Sequence, residues 1–333
     1  MRPEPLVEAP PGHIEGTAAR LLEISDLEVI AQTPREAVKL LRGVELWLDN
    51  NRLGVVGESG SGKSMTAAAI LGLLPPGIRP TKGSIRFAGR ELLGLPESEM
   101  QSIRGRQISI VYQNAVTSLN PLTSVGDQIA RVCRAHTGVS RSESWTRAVE
   151  MLASLGIADA THRARDYPHQ FSGGMAQRVA IGAALICGPK LLIADEPTTG
   201  LDATIQVQVL DVITESVRRT GAALLLISHD LGVIQATTDS VVVLYAGLVM
   251  EIGRTQDVIS SPLNPYTQGL VRSLTPKNDG TIEYIPGRVP EPHTIGDQCP
   301  FASRCPLASE RCRVEKPLLR ELRPGQWVAC HNV

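Results

Sequence analysis

Aromatic side chains are scarce in this chain: three Trp, five Tyr and three Phe make up 3% of its 333 residues. So few rings argue against a platform that stacks single-stranded bases. An excess of one charge is lacking too. Lys and Arg number 33 against 34 Asp and Glu, a formal net charge of −1, which disfavours a surface that grips nucleic acid. The longest apolar runs, Ala222–Ile227 and Val241–Met250, fall far short of the roughly 20 residues a membrane-spanning helix needs. The opening MRPEPLVEAPPGH carries prolines and acids but no apolar core, so no secretory signal is expected. A cytoplasmic location follows, in which the six cysteines stay reduced and are free, catalytic or metal-bound. No internal repeat and no heptad array is visible.

What is present suits a folded chain. Hydrophobic residues form 42% and charged residues 20% of the chain, enough apolar material for a large core. Residues 1–19 read as a loose leader rich in Pro, Glu and Gly. Beyond them, Leu53–Val56, Leu191–Ala194, Ala223–Ile227 and Val241–Leu244 are short apolar runs ended by turn or charged residues. Such runs predict parallel strands buried on both faces, alternating with helices in an α/β domain over 20–275. A helical insertion is expected at about 115–175. Within it Ser140 opens a capping box with Glu143; Trp145, Ala148, Val149 and Leu152 keep helical spacing, and Gly156 ends the helix. From 276 to 333 the texture changes to Pro, Cys and Arg with little periodicity.

The chemistry concentrates in a few segments. Gly57-Glu58-Ser59-Gly60-Ser61-Gly62-Lys63-Ser64 matches G-x-x-x-x-G-K-[ST], with a strand before it and a helix from Met65 after it. Its glycines let backbone N–H groups turn toward phosphate oxygens at a helix N-terminus. Lys63 supplies a point charge for the β- and γ-phosphates, and Ser64 a hydroxyl for Mg²⁺. The buried run Leu191–Ala194 ends in Asp195 and Glu196. Asp195 suits the Mg²⁺ water shell; Glu196 suits a general base on the attacking water. His229 follows the run Ala223–Ile227, where ligands bind in open α/β sheets. Gln113 ends another apolar run; its amide touches Mg²⁺ or the water only when the following segment swings in, and is otherwise a surface amide. Ser172-Gly173-Gly174 opens a second helix, a second anion site, on a different lobe.

Gly57–Ser64, Gln113, Ser172–Arg178, Asp195-Glu196, Thr199–Asp202 and His229, in this order and spacing, resemble the ATP-binding-cassette (ABC) ATPases over roughly residues 20–275. The resemblance implies a P-loop NTPase fold: a RecA-like nucleotide-binding core, an antiparallel β edge and a helical subdomain. It implies ATP and Mg²⁺ at Gly57–Met65, Ser64, Gln113 and Asp195. It also implies two cassettes facing head to tail, so that Ser172, Gly173, Gly174 and Asp202 serve the ATP of the partner subunit. Tyr112–Pro121, Tyr167–Met175, Asn264–Thr267 and Ile285–Pro290 narrow the likeness to the dipeptide, oligopeptide and nickel importers. The implied function is the ATPase subunit of a peptide-type importer, peripheral on the cytoplasmic face of the membrane. Implied partners are a second, different ATPase chain, two permeases and an extracytoplasmic solute-binding protein, with no nucleic acid. The alternatives are an importer of nickel or another small solute, and a soluble cassette protein acting on nucleic acid. Two departures stand out. Met175 stands where many cassettes have Gln, and Val29-Ile30-Ala31-Gln32 offers no ring to stack on adenine, with Trp47 too near the phosphate loop to serve.

Cys299, Cys305, Cys312 and Cys330 crowd into the tail. Their spacing is neither that of a zinc knuckle nor that of a ferredoxin, although loop-held thiolates can close a Cys₄ site of either kind. Resemblance to the importer tail suggests a [4Fe-4S] cluster, with Zn²⁺ as the alternative and His331 able to replace one thiol. Cys133 and Cys187 fall in helical patterns as small buried groups.

Overall fold

The computed structural model describes residues 20–34, 36–113, 115–274, 281 and 283–333. The expected leader and the start of the expected tail near residue 276 lie outside the described residues. Along the chain run β1 (Leu22–Gln32), β2 (Ala37–Leu48), β3 (Arg52–Val56), β4 (Ile78–Phe87), β5 (Arg90–Glu91) and β6 (Ile108–Val111). They are followed by β7 (Leu191–Asp195), β8 (Ala223–Ser228), β9 (Ser240–Tyr245), β10 (Leu248–Arg254), β11 (Leu319–Arg323) and β12 (Gln326–Ala329). These strands form two sheets, a four-stranded one in the order β2-β1-β4-β5 and an eight-stranded one in the order β11-β12-β10-β9-β3-β8-β7-β6.

The four apolar runs expected as buried strands are β3, β7, β8 and β9, and with β6 they pair in parallel. Their side chains alternate between two cores. Leu53, Val55, Leu191, Ile193, Leu225 and Val242 pack toward the antiparallel sheet. Val56, Leu192, Ala194, Leu224, Leu226 and Val243 pack toward the helices on the other side. A strand with no polar face is stable only between two such layers. The four-stranded sheet is wholly antiparallel, as the resemblance implied.

A third core belongs to the helical lobe, where Val125, Ile129, Ala148, Leu152, Ala176 and Val179 meet. Helix Arg141–Ser154 starts at Ser140, whose Oγ accepts from Glu143 N at 3.1 Å. Gly156, at φ +76°, follows its last turn. The lobe closes on helix Gly173–Leu185, which also packs against the main core through Ile181, Ala184 and Leu185.

The tail differs from the expectation of irregular chain. Strands β11 and β12 are joined through Pro324-Gly325, and β12 pairs antiparallel with β10, so the tail extends the central sheet. Pro324-Gly325 is a turn dipeptide; the strands, of five and four residues, are too short to show a period. One residue fixes this seam. Asn264 is buried, and its Nδ2 donates to the carbonyls of Met250 (3.1 Å) and Ala329 (2.9 Å). Its Oδ1 accepts from Tyr266 N at 2.9 Å, capping helix Pro265–Arg272. The buried Glu251 carboxylate accepts from Leu263 N, Asn264 N and Gln326 Nε2. Asn264→Ala would leave two buried carbonyls and a helix N–H without partners. We expect a loss of roughly 2–4 kcal/mol, measured by urea unfolding and by a lower thermal midpoint.

Candidate active site

The site grows from the carboxyl ends of the parallel strands. Val56 is level with Ser228, Asp195 with Ile227 and Val111 with Ala194. That register brings the loop after β3, His229, Glu196 and Gln113 to one edge. The turn at Gly57 admits no side chain: a Cβ there would lie 2.1 Å from the Leu244 carbonyl oxygen. Gly62, at φ +103°, caps helix Lys63–Ile70 in a conformation that L side chains rarely adopt. The loop between them therefore wraps tightly, with backbone N–H groups available to an anion.

Lys63 Nζ reaches back to the carbonyls of Gly57 (2.7 Å) and Glu58 (3.1 Å), where phosphate oxygens would compete for it. Burial lowers its pKa, while the charges of Glu196, Asp195 and Glu58 pull it back up. Ser64 Oγ donates to Asp195 Oδ1 at 3.0 Å. Burial raises the Asp195 pKa, and the Ser64 hydroxyl opposes that rise. A hydroxyl and a carboxylate this close form a pair of hard oxygen donors that fits Mg²⁺.

Glu196 is the hub of the cluster. Its backbone sits at φ +47°, in the left-handed region, with its N–H donating to Ile227 O at 2.9 Å. Strain of this kind at a non-glycine residue persists only where surrounding contacts enforce it. Its Oε2 accepts from Gln113 Nε2 (3.1 Å) and Thr199 Oγ1 (2.9 Å), and lies 3.2 Å from His229 Nδ1. The cluster thus brings together Gly57–Met65, Gln113, Asp195, Glu196 and His229. A cavity of about 620 Å³, large enough for a nucleotide, is lined by Ser59–Met65, Gln113 and Glu196 among others.

Ser172, Gly173, Gly174 and Asp202 do not line that cavity. Ser172 Oγ accepts from Met175 N at 3.4 Å and opens helix Gly173–Leu185. Asp202 Oδ1 accepts from Ile205 N at 3.0 Å and caps helix Ala203–Thr220. Both elements are well-formed helix starts outside this chain's own phosphate-loop cavity.

Sequence reasoning did not find Arg304, which comes from the tail. Its side chain is 5% exposed, and its Nη1 donates to both Glu58 carboxylate oxygens at 3.0 Å and to Tyr245 Oη at 3.1 Å. Its other nitrogens donate to the carbonyls of Pro286 and Ile285. Tyr266 Oη accepts from Glu58 N at 3.0 Å. Arg304 from the tail and Tyr266 from near the end of the α/β domain thus both hold the second residue of the phosphate loop. No spacing rule marks an arginine between two cysteines for this task.

Among the described residues, no group of three or more His, Cys, Asp or Glu side chains is arranged to hold a metal ion. The four tail thiols are nonetheless electrostatic neighbours. Burial pushes the Cys299 thiol up to about 12, with Cys312, Cys305 and Cys330 adding to the rise. Cys299 N donates to Cys312 O at 2.9 Å, and Asn332 contacts the sulfurs of both Cys312 and Cys330. Cys133 is fully buried in helix Val125–Thr137, and the half-buried Cys187 follows helix Gly173–Leu185.

Comparison with known proteins gives the same picture. Residues 42–199 match the family model "ABC transporter", and residues 250–312 match "Oligopeptide/dipeptide transporter, C-terminal region". The chain is 44% identical over 313 residues to the oligopeptide transport ATP-binding protein OppD of Salmonella typhimurium, covering 93% of each chain. It is 43% identical over 292 residues to the dipeptide transport ATP-binding protein DppD of Bacillus subtilis, covering 86% of this chain and 87% of that one. Among solved structures it is similar to the dimeric ATP-binding cassette MJ0796 bound to ADP and Pi, with a TM-score of 0.63 and 25% identity. That match covers 70% of this chain and 98% of the other.

The Arg304–Glu58 pair gives a direct test. Arg304→Met strands a carboxylate that is only 29% exposed. Allowing for that partial exposure, we expect a stability loss of about 2–3 kcal/mol. In urea unfolding of the single and double variants, adding Glu58→Gln should recover about 1 kcal/mol of that loss.

Proposed function

Because the chain belongs to the ABC transporter family, and within it stands with the oligopeptide and dipeptide transport ATP-binding proteins, we propose that it hydrolyses ATP to power a peptide importer. The observation that carries this reading is the convergence of Gln113, Thr199 and His229 on one oxygen of Glu196, at the edge of the phosphate-loop cavity.

In the proposed reaction the backbone N–H groups of Gly57–Ser64 and the Lys63 ammonium hold the β- and γ-phosphates. Ser64, Asp195 and Gln113 would hold Mg²⁺, which when bound neutralises charge on the phosphate oxygens. Glu196 orients a water molecule against the γ-phosphorus and takes its proton as the O–P bond forms and the bond to ADP breaks. His229 sets the Glu196 carboxylate and faces the γ-phosphate; Gln113 and Thr199 fix the same carboxylate from other sides. The positively polarised start of helix Gly173–Leu185, with Ser172 and Gly174, would meet the ATP of a second cassette, assisted by Asp202. The absence of these residues from this chain's own cavity supports that division of labour.

The second cassette is proposed to be a different, homologous chain. Two permeases and, through them, an extracytoplasmic solute-binding protein complete the proposed assembly. No helix among the described residues is long and apolar enough to cross a membrane, in keeping with a peripheral subunit on the cytoplasmic face. For the tail we propose a [4Fe-4S] cluster on Cys299, Cys305, Cys312 and Cys330, with Zn²⁺ as the alternative. It rests on four soft donors within one short tail, which among the described residues are not grouped as a metal site, and no step of hydrolysis runs through it.

Glu196→Gln should retain ATP binding in calorimetry while turnover, followed by phosphate release, falls at least about a hundredfold; near-normal hydrolysis would remove Glu196 from the role. Full-length protein purified without oxygen should carry iron and sulfide with visible absorbance; stoichiometric zinc and a colourless sample would decide for the alternative.

A further inference from the structure

The cavity has two ends. Glu196, Gln113 and Ser64 mark the γ-phosphate end, and Ser59–Gly62 cradle the middle. A nucleoside attached to those phosphates must extend to the remaining wall, which is formed by Lys39 and Leu40 of β2 and by Val289, Pro290, Pro292 and Ile295 of the tail. Among the described residues, no aromatic side chain lines the cavity. Trp47 is engaged elsewhere, edge-on to Trp327 with ring centres 5.9 Å apart. The surface facing a base is therefore non-aromatic: aliphatic at Leu40, Val289, Pro290, Pro292 and Ile295, with Lys39 and Glu291 as its charged members.

The tail segment is fastened at both ends rather than lying loosely over the opening. Upstream, Arg304 holds the carbonyls of Ile285 and Pro286 while gripping Glu58 of the phosphate loop. Downstream, Arg42 of β2, 5% exposed, donates to the carbonyls of Pro292 (2.8 Å) and Gly296 (3.2 Å). Prolines at 290 and 292 stiffen the intervening chain. A rigid apolar surface loses little entropy when it receives a planar base.

We propose that Val289–Ile295 of the C-terminal region is the nucleoside wall of the ATP site, in the place of an aromatic stacking residue. This inference rests on the cavity being an ATP site. It assigns Val289 and Pro290 a direct contact with the base or ribose, and Arg42 a positioning role through the Pro292 and Gly296 carbonyls.

The test compares two ligands on full-length protein by calorimetry with Mg²⁺: ATP, which has a nucleoside, and inorganic tripolyphosphate, which has none. The double variant Val289→Gly/Pro290→Gly should bind ATP about tenfold more weakly and tripolyphosphate as the native protein does. Unchanged tripolyphosphate affinity also reports an intact fold. Lys63→Ala, by contrast, should weaken both ligands. If the double variant binds ATP like the native protein, the proposal is overturned. It is overturned equally if both affinities fall together, because the segment would then only support the phosphate loop. Failure of the native protein to bind ATP at all would instead overturn the function proposed above, and this inference with it.

Discussion

Parallel strand register is the constraint on which the rest of this molecule depends. Five strands, β6, β7, β8, β3 and β9, are locked side by side by backbone hydrogen bonds. Their carboxyl ends lie on one side of the sheet, Val56 level with Ser228, Asp195 with Ile227 and Val111 with Ala194, so the groups that follow them share one edge. A slip of one residue in β7 would turn Leu191 and Ile193 into the core that now holds Leu192 and Ala194, and would carry Glu196 away from Gln113 and His229. Because both faces of the sheet are buried, that slip is strongly disfavoured. The precision of the polar cluster is thus a by-product of apolar packing several residues away.

Much of this was legible beforehand for a physical reason. Buried parallel strands are uniform apolar runs, and Leu191–Ala194 or Ala223–Ile227 has no polar face to confuse the reading. The phosphate loop was legible because its turn excludes side chains, and only glycine satisfies Gly57 and Gly62. Ser140 and Gly156 marked helix ends through local hydrogen bonding alone. What could not be read was long-range. Arg304 lies 246 residues from Glu58, and Arg42 lies 250 residues from Pro292. No period or spacing in a sequence records such a meeting. The strain at Glu196 was equally hidden, since its φ is imposed by the strands around it and not by its neighbours in sequence.

The tail changes in character once these contacts are seen. Its composition suggested an appendage with its own business. Yet β12 continues the central sheet beside β10, and Asn264 and Glu251 seal the joint with buried hydrogen bonds. Phe301 packs with Tyr245 and Tyr266 at ring distances of 5.2 and 5.3 Å. Those two tyrosines in turn hold Arg304 and the Glu58 amide. Tyr266 lies in the segment Asn264–Thr267 that marked the likeness to peptide importers. Its place under the phosphate loop gives that motif a mechanical meaning.

Arg304 also sits next to Cys305 in the chain and among the same packed side chains as Cys299. Cys305 is therefore one residue in sequence from the arginine that grips Glu58 of the phosphate loop. Arg304 meets the Glu58 carboxylate through Nη1 alone, while its Nε and Nη2 donate to the carbonyls of Pro286 and Ile285, so one planar guanidinium ties two backbone carbonyls to the loop. The tail thus reaches the phosphate loop through Arg304 on the Glu58 carboxylate, with Tyr245 and Tyr266 completing the contact.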